Sequence, residues 1–323
     1  MRNINSIKSL IGETPFICIK AKISGKIKNV YCKLEWFNFS GSIKDRAAVY
    51  ILEKAIKSKK LKKGMQICEV TSGNMGISFA SIGNALGFES IICIPKSASK
   101  ERISLLKICG AKVLLTEDFE SATLLSNEIE KSGVFMPRQF ENSNNAKAYY
   151  FGLGREIALA GIKIESFVAG VGTGGTLMGV GRSLKKNLPP LALVAVEPFE
   201  SRILSQKGNN GNHKIEGLSD GFVPKIYKKR LTDEVRAVKG NDAIAMSQKL
   251  FREFGLGVGI SSGANFLAAI AGGETNVATV FPDDNKKYLS TELSKDVKSD
   301  LCDSVELISF KVVNISMKNS SYF

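Results

Sequence analysis

Histidine and tryptophan are nearly absent from this sequence, since each occurs once in 323 residues. With His213 alone, the chain cannot build a metal site from several histidines, and no zinc-type spacing accompanies it. No apolar run reaches the length of about 18 residues that a membrane-spanning helix needs. The first residues also lack the apolar region of a signal peptide. We therefore expect a cytoplasmic protein with no metal site and no membrane partner.

Paired cysteines are also lacking, because none of the six cysteines belongs to a Cys-x-x-Cys motif. Most of them lie in apolar segments that are predicted to be strands or helices. A cytoplasmic protein keeps such thiols reduced, and a free cysteine packs like a small apolar residue. We interpret all six as reduced core residues: Cys18, Cys32, Cys68, Cys93, Cys109 and Cys302.

Acidic residues are outnumbered by basic ones, 31 to 45, which gives a formal net charge of +14. The lysines are spread along predicted helices and few aromatic residues stand among them, a pattern that is typical of a solvated surface. The charge therefore does not indicate a nucleic-acid partner. A basic surface could still attract anionic small molecules.

Apolar segments alternate with amphipathic ones along most of the chain. The length allows two domains that share a cleft. Helical patterns such as 42–57, 74–86 and 100–109 separate the strands, which predicts an α/β fold with parallel sheets. After residue 291 this rhythm is lost, although 307–313 could add one strand. The predicted strands are Phe16–Lys20, Val30–Leu34, Gln66–Val70, Ser90–Ile94, Lys112–Leu115, Ser166–Ala169, Ala192–Val196 and Ala278–Phe281.

A glycine- and threonine-rich turn follows the predicted strand at 166–169 and opens a helix, with the sequence Gly170-Val171-Gly172-Thr173-Gly174-Gly175-Thr176. Glycines let backbone N–H groups approach an anion, and a helix N-terminus favours negative charge. This pattern indicates a phosphate site. A tight strand-to-helix turn that needs glycine only for its backbone angles is equally compatible with it. No Lys-Ser/Thr follows, so the turn is not a Walker loop.

Two further turns carry chemistry. Lys44 follows Ser40-Gly41-Ser42 at the start of a predicted helix, where an enclosed lysine can act as an amine nucleophile. The alternative is a surface lysine paired with Asp45.

Thr71-Ser72-Gly73-Asn74 also precedes a helix, and its hydroxyl and N–H groups suit a carboxylate. The alternative there is ordinary N-capping.

Taken together, these motifs resemble the cysteine synthase family of fold-type II pyridoxal phosphate enzymes, which includes the catalytic core of cystathionine β-synthase. The resemblance runs from about Ile11 to Thr291, nearly the whole chain. It includes further matching segments at 11–15, 138–142, 196–198, 259–265 and 281–291.

The resemblance implies an α/β, tryptophan synthase β-like fold with two three-layer αβα domains and mainly parallel sheets. The smaller, movable substrate-binding domain would span 45–145. The larger, cofactor-binding domain would span 1–44 and 146–291, and 292–323 would form a C-terminal extension.

The resemblance also assigns roles in binding pyridoxal 5'-phosphate. Lys44 would bond covalently to the cofactor and then act as base on the substrate α-proton. Asn74 would contact the ring hydroxyl, and Ser261 would face the pyridine nitrogen. The phosphate would lie in the turn formed by Gly172, Thr173, Gly174, Gly175 and Thr176. The substrate would contact Thr71, Ser72, Gly73, Met75, Gln139, Gly217 and Ser219.

The implied reaction is β-replacement on a small L-amino acid through an α-aminoacrylate intermediate. In cysteine synthase, O-acetylserine and sulfide give L-cysteine and acetate. Small-molecule amino-acid substrates and a homodimer are expected from the same resemblance. A serine acetyltransferase partner is possible in this family, but the residues do not decide it.

Two positions depart from the family pattern. Met75 replaces a threonine, as in plant β-cyanoalanine synthases, although family drift would also explain it.

Ser219 and Asp220 replace the glycine and alanine that usually line the entrance to the active site in this family. A carboxylate there could act as a catalytic base and repel hydrosulfide, which favours L-cysteine plus water to L-serine and hydrogen sulfide. The alternative is a turn residue that caps a backbone N–H. Use of another nucleophile, as in cyanoalanine or cystathionine synthases, also stays open.

Overall fold

The structure, a computed structural model, describes residues 3–206 and 210–314. Its strands are β1 (Phe16–Ile23), β2 (Lys26–Leu34), β3 (Ile67–Val70), β4 (Ser90–Pro95), β5 (Lys112–Thr116), β6 (Ser166–Gly170), β7 (Ala192–Pro198), β8 (Glu234–Val238), β9 (Asn276–Phe281) and β10 (Glu306–Val312). Its helices are α1 (Ile4–Lys8), α2 (Lys44–Lys57), α3 (Asn74–Leu86), α4 (Lys100–Ile108), α5 (Phe119–Glu130), α6 (Ser143–Phe151), α7 (Leu153–Leu159), α8 (Gly175–Asn187), α9 (Gly240–Phe254), α10 (Ile260–Ala271) and α11 (Asp300–Asp303).

The larger sheet has seven strands in the order β10-β1-β2-β9-β6-β7-β8. From β2 to β8 all neighbours are parallel, whereas β1 is antiparallel to both β2 and β10. Apolar clusters cover both faces. One joins α2, α6, α7 and α8 to the sheet, and the other joins α9 and α10 to it. Helices on both sides of a mainly parallel sheet make this unit a three-layer αβα structure.

The smaller sheet has three parallel strands in the order β3-β4-β5. On one face, Ala122 of α5 packs against Cys68 and Cys93. On the other, Ile77 of α3 and Leu106 of α4 pack against the central strand. This unit also has three layers, so the predicted α/β fold with two αβα units is confirmed. The boundaries proposed at 45 and 145 stay a prediction.

The strands differ from the predicted ones mainly at the margins of the larger sheet. β1 and β2 are longer than predicted because they form a hairpin whose pairing continues to Ile23 and Lys26, next to the Ser24-Gly25 turn. The edge strand β8 was not predicted, since only Val238 of its five residues is buried and no apolar run marks it. The added strand near 307–313 is confirmed as β10, which pairs with β1. The last part of the predicted C-terminal extension, 315–323, lies outside the described residues.

Within the described ranges, no helix is long and apolar enough to cross a membrane. In the same ranges, no group of three or more histidine, cysteine, aspartate or glutamate side chains is arranged to hold a metal ion. Five of the six free cysteines are buried, and Cys109 is half-buried.

Candidate active site

Three strand-to-loop junctions bring the predicted site residues together. Thr71 follows β3, Val171 follows β6 and Pro282 follows β9. In parallel sheets, loops at the carboxyl ends of the strands are where ligands bind. Ile43 donates its backbone N–H to the Pro282 carbonyl at 2.8 Å, and this bond brings the start of α2 to the same edge.

The first cavity at this edge contains most of the predicted cofactor contacts. We call it the cofactor cavity. Its lining includes Lys44, Asn74, Gly172, Thr173, Gly174, Thr176, Gly217 and Ser261. The remaining predicted phosphate contact, Gly175, is buried as the first residue of α8. The structure therefore places these predicted residues around a single enclosed space.

The turn before α8 has little room for side chains. A Cβ atom at Gly172 would lie 2.2 Å from the carbonyl oxygen of Gly217. Gly174 has φ +78°, in the left-handed region that favours glycine. The Thr173 hydroxyl accepts the Gly175 N–H at 3.2 Å and the Asn145 side-chain N–H at 3.1 Å. This compact turn points the N-terminus of a 13-residue helix at the cavity, which favours an anion.

Lys44 is the first residue of α2 and is half-buried. Burial lowers the pKa of its ammonium group, while the carboxylates of Asp220 and Asp283 oppose that shift. A lowered pKa increases the fraction of neutral amine, which is the form that acts as a nucleophile or a base. The alternative of a surface ion pair with Asp45 is not what the structure shows, because Asp45 accepts hydrogen bonds from the hydroxyl and N–H of Ser40.

A second cavity adjoins the first, and Lys44, Asn74, Thr173 and Gly217 line both. We call it the substrate cavity. Its other lining residues are Thr71, Ser72, Met75, Arg102, Gln139, Phe140 and Asp220. The predicted carboxylate-binding residues therefore lie beside the amine of Lys44. Gly73, which completes that turn, has φ +149° and leaves no room for a Cβ atom against Arg102.

Gln139 links two walls of the substrate cavity. Its side chain donates to the Val70 carbonyl at 2.8 Å, and its backbone N–H donates to the buried carboxyl group of Glu69 at 3.2 Å. These two hydrogen bonds hold Gln139 against the end of β3. The position of Gln139 is therefore set by β3, which also carries the Thr71-Ser72 turn.

Ser219 and Asp220, the two residues that depart from the family pattern at the entrance, have different surroundings. Asp220 lines the substrate cavity, where burial raises the pKa of its carboxyl group, and Lys44, His213 and a hydrogen bond from Ser72 oppose the rise. Ser219 is turned away, since its hydroxyl lies 2.7 Å from that of Ser201 and lines a neighbouring cavity. Asp220 thus lines the substrate cavity, whereas the Ser219 hydroxyl bonds within the loop region at Ser201.

Sequence reasoning missed a buried charged cluster behind both cavities. Arg102 of α4 is 2% exposed, contacts the Glu216 carboxylate and lies with its guanidinium carbon 4.4 Å from the centre of the Tyr288 ring. The Asp283 carboxylate accepts from Asn74 at 2.7 Å and from the Tyr288 hydroxyl at 2.9 Å. In the sequence, nothing distinguishes Arg102 from a charged residue on the surface of a helix. Asp283 lies within the segment 281–291 and Glu216 directly precedes the predicted contact Gly217, and this proximity was the only available signal.

Residues 7–283 match the family profile described as pyridoxal-phosphate dependent enzyme. The "Cysteine synthase" of Staphylococcus aureus (strain N315) is 40% identical over 301 residues, which cover 90% of this chain and 97% of that protein.

Two solved structures are similar over nearly the whole chain. A hydrogen sulfide-producing enzyme from Fusobacterium nucleatum has a TM-score of 0.90 at 40% identity, covering 96% of this chain and 99% of that one. An aspartate-to-asparagine mutant of a hydrogen sulfide-producing enzyme, complexed with an α-aminoacrylate intermediate, has a TM-score of 0.91 at 40% identity, covering 95% and 97%.

Proposed function

Since the chain belongs to the pyridoxal-phosphate dependent enzymes of the cysteine synthase type, we propose that it performs β-replacement on a small L-amino acid. The reaction is O-acetylserine plus sulfide to L-cysteine plus acetate. One observation carries the proposal: Lys44 stands where the cofactor cavity and the substrate cavity meet.

The residues present fit pyridoxal phosphate. The Gly172–Thr176 turn offers backbone N–H groups and a helix N-terminus to a phosphate, and a side chain at position 172 would collide with the Gly217 carbonyl oxygen unless one segment moved. At the other end of the cavity, the buried Oδ1 of Asn74 has no hydrogen-bond partner among the described residues. A buried polar atom of this kind calls for a partner, which the polar ring group of the cofactor would supply.

When bound, pyridoxal phosphate supplies an electron sink that makes the substrate's α-hydrogen acidic. Lys44 would hold the cofactor and would take the proton from the substrate α-carbon. Thr71, Ser72 and Gln139 bind the substrate carboxylate and set its orientation. Closure of the 45–145 unit over the cleft would exclude water while the proton moves.

A second candidate is a reaction that consumes cysteine, in which L-cysteine and water give L-serine and hydrogen sulfide. The position of Asp220 favours it, because this carboxyl group shares the substrate cavity with Lys44 and burial raises its pKa. A carboxylate of raised pKa is a stronger base towards water or a thiol. Its negative charge also disfavours hydrosulfide as a nucleophile.

Two assays of the purified holoenzyme test the proposal, one with O-acetylserine and sulfide and the other with L-cysteine alone. We expect rapid cysteine formation from O-acetylserine and sulfide if synthesis dominates, and serine with equimolar sulfide from cysteine alone if the second candidate holds. In the second case, Asp220→Asn should lower serine release by roughly 10²-fold, the size of a general-base contribution. Asp303→Asn, at an exposed position on α11, is the matched control.

Turnover in neither direction would reject both candidates. Equal effects of Asp220→Asn and Asp303→Asn would show that Asp220 is only a turn residue.

The homodimer, the cytoplasmic location and a serine acetyltransferase partner belong to the same proposal. They are supported by the resemblance to the family alone. Gel filtration with light scattering, with and without a serine acetyltransferase, would test the two assembly predictions.

A further inference from the structure

Asp283 lies behind Asn74, the residue predicted to contact the ring hydroxyl of the cofactor. The Asp283 side chain is fully buried, and its Oδ2 accepts a hydrogen bond from the Asn74 side-chain nitrogen at 2.7 Å. The Tyr288 hydroxyl donates to the same oxygen at 2.9 Å. Asn74 lines both the cofactor cavity and the substrate cavity, whereas Asp283 is not part of either lining. The hydrogen bond to Asn74 therefore connects Asp283 to the site.

The backbone around Asp283 leaves space for its carboxylate. A Cβ atom at Gly259 would lie 2.1 Å from Oδ1 of Asp283, so a side chain at position 259 would displace the carboxylate. The Gly259 N–H also donates to the Asp283 backbone carbonyl at 3.0 Å. On the opposite oxygen, Nη2 of Arg102 lies 3.6 Å from Oδ2. These contacts fix the carboxylate relative to the start of α10, which carries Ser261.

The Asp283 carboxylate decides which way the Asn74 amide is turned. An ionised carboxylate only accepts hydrogen bonds, so the Asn74 atom that faces it must be the N–H group. Turning the amide over would place two acceptors against each other. The Oδ1 atom of Asn74 is then left buried, with no hydrogen-bond partner among the described residues. A buried acceptor without a donor costs free energy, so this atom calls for a donor from the ligand.

We propose that Asp283 is a positioning residue that turns Asn74 so that its amide oxygen meets the ring hydroxyl of pyridoxal phosphate and keeps that hydroxyl protonated. The inference rests on the proposed function and concerns the same site. The ring hydroxyl can satisfy Oδ1 of Asn74 only as a donor, which requires that it carry its proton. An ionised ring oxygen would instead place a negative charge against this acceptor.

The charges around the pair do not favour an ionised ring oxygen. Three cations and three carboxylates, counting Asp283 itself, line the two cavities or face Asp283 in the described parts of the chain. One of the cations, Lys287, is also shared with the carboxylates of Asp45 and Asp284. The local balance is therefore neutral to negative, which leaves the proton on the hydroxyl. The groups besides Asp283 are Lys44 of α2, Arg102 of α4, Glu216 and Asp220 near Gly217, and Lys287.

The absorption spectrum of the holoenzyme tests the proposal. When the cofactor is joined to a lysine, the form with a protonated ring hydroxyl absorbs in the near ultraviolet and the ionised form absorbs in the visible. The readout is the ratio of visible to near-ultraviolet absorbance at one fixed pH. We expect Asn74→Ala to raise this ratio roughly two- to tenfold, the effect of removing one hydrogen bond from the protonated form. If Asn74 instead donated its N–H to an ionised oxygen, the same variant would lower the ratio.

Asp283→Asn tests the positioning role itself. An amide at position 283 can donate as well as accept, so Asn74 would be free to turn its N–H towards the ring oxygen, and the ratio should again rise. Asp284→Asn is the matched control, because it removes an equal charge from the next residue but leaves the acceptor of Asn74 in place. Its ratio should stay near that of the wild type. Circular dichroism checks that each variant is folded, and Asn74→Ala decides the question if Asp283→Asn is not.

Two results would overturn the proposal: a lower ratio in Asn74→Ala, or equal shifts in Asp283→Asn and Asp284→Asn, which would show that charge alone sets the proton. Failure of the proposed function looks different. A wild-type protein that binds no pyridoxal phosphate would show neither absorbance band and would reject both proposals. A wild-type protein that binds the cofactor and turns over its substrates, but gives either overturning result, would reject only the role of Asp283.

Discussion

Glu69 shows how one buried carboxyl group can couple pH to the architecture of the site. Its oxygens accept the backbone N–H groups of Val70 and Gln139. Burial is the main influence and raises the pKa of Glu69 from its ordinary value of 4.5 to about 8, although Arg138 and the two N–H groups oppose the rise and Cys93 adds to it slightly. The folded protein therefore holds this proton at neutral pH.

A loss of stability as the pH rises from about 5 to 8 follows. Because the unfolded chain releases the proton at a lower pH than the folded chain, the contribution of Glu69 is fully present below about pH 4.5 and is lost as the pH rises towards 8. For this group the loss between pH 5 and 8 is on the order of 3 kcal/mol. We expect Glu69→Gln to remove this slope, as measured by urea unfolding at several pH values.

Glu117→Gln, at an exposed position, is the matched control and should keep the wild-type slope. Parallel profiles for wild type and Glu69→Gln would show that the carboxyl group is ionised in the folded protein throughout this range.

At the scale of elements, the N-terminus of α8 depends on its contact with the loop at Gly217. A Cβ atom at position 172 would meet the Gly217 carbonyl oxygen at 2.2 Å, so one of the two segments must move. We expect Gly172→Ala to cost roughly 1–3 kcal/mol, as overpacking commonly does. If the same displacement of the turn is opposed by the bound phosphate, affinity for pyridoxal phosphate should fall roughly 5- to 140-fold, because each 1.4 kcal/mol changes a dissociation constant tenfold. Equilibrium dialysis of the apoprotein would measure it.

Gly273→Ala provides the comparison for this prediction. Nothing lies within 4 Å of a Cβ atom there, and the backbone is outside the left-handed region. Its thermal stability and cofactor affinity should match the wild type. Unchanged affinity in Gly172→Ala would mean that the turn does not hold the phosphate.

At the scale of the whole molecule, a buried ionic network connects distant segments of the chain. Arg46 of α2 donates to Glu35 at 2.6 Å and to Glu156 of α7 at 2.9 Å. Lys33 of β2 donates to Glu156 at 2.7 Å. The network joins β2, α2 and α7, and α2 carries Lys44 at its first turn. The stability of the fold and the position of the Lys44 amine are therefore linked.

Removing one member should leave a buried charge without its partner. We expect Arg46→Met to lower the free energy of unfolding by about 3–5 kcal/mol, the cost of breaking a buried pair. Urea unfolding measures it, and adding Glu35→Gln should recover part of the loss. Lys131→Met, which breaks the exposed pair with Glu128, should change stability by less than about 1 kcal/mol. Equal losses in Arg46→Met and Lys131→Met would contradict the role of burial.

The sequence alone determined those features that a few neighbouring residues specify. The Gly172–Thr176 turn, the Thr71–Asn74 turn and the position of Lys44 at a helix start each depend on local backbone preferences, and alternation of apolar segments indicated the parallel sheets. The edge strand β8 was not predicted because four of its five residues are only partly buried or exposed and no apolar run marks it.

The tertiary structure alone decided which distant groups meet. Arg102, Glu216 and Asp283 form one buried cluster although each lies in a different part of the chain. Asp220 faces the substrate cavity while its neighbour Ser219 does not, since a residue's side-chain direction depends on how its loop packs. Burial and electrostatic environment exist only once the chain is folded, and these properties set the proton affinities of Lys44, Glu69 and Asp220.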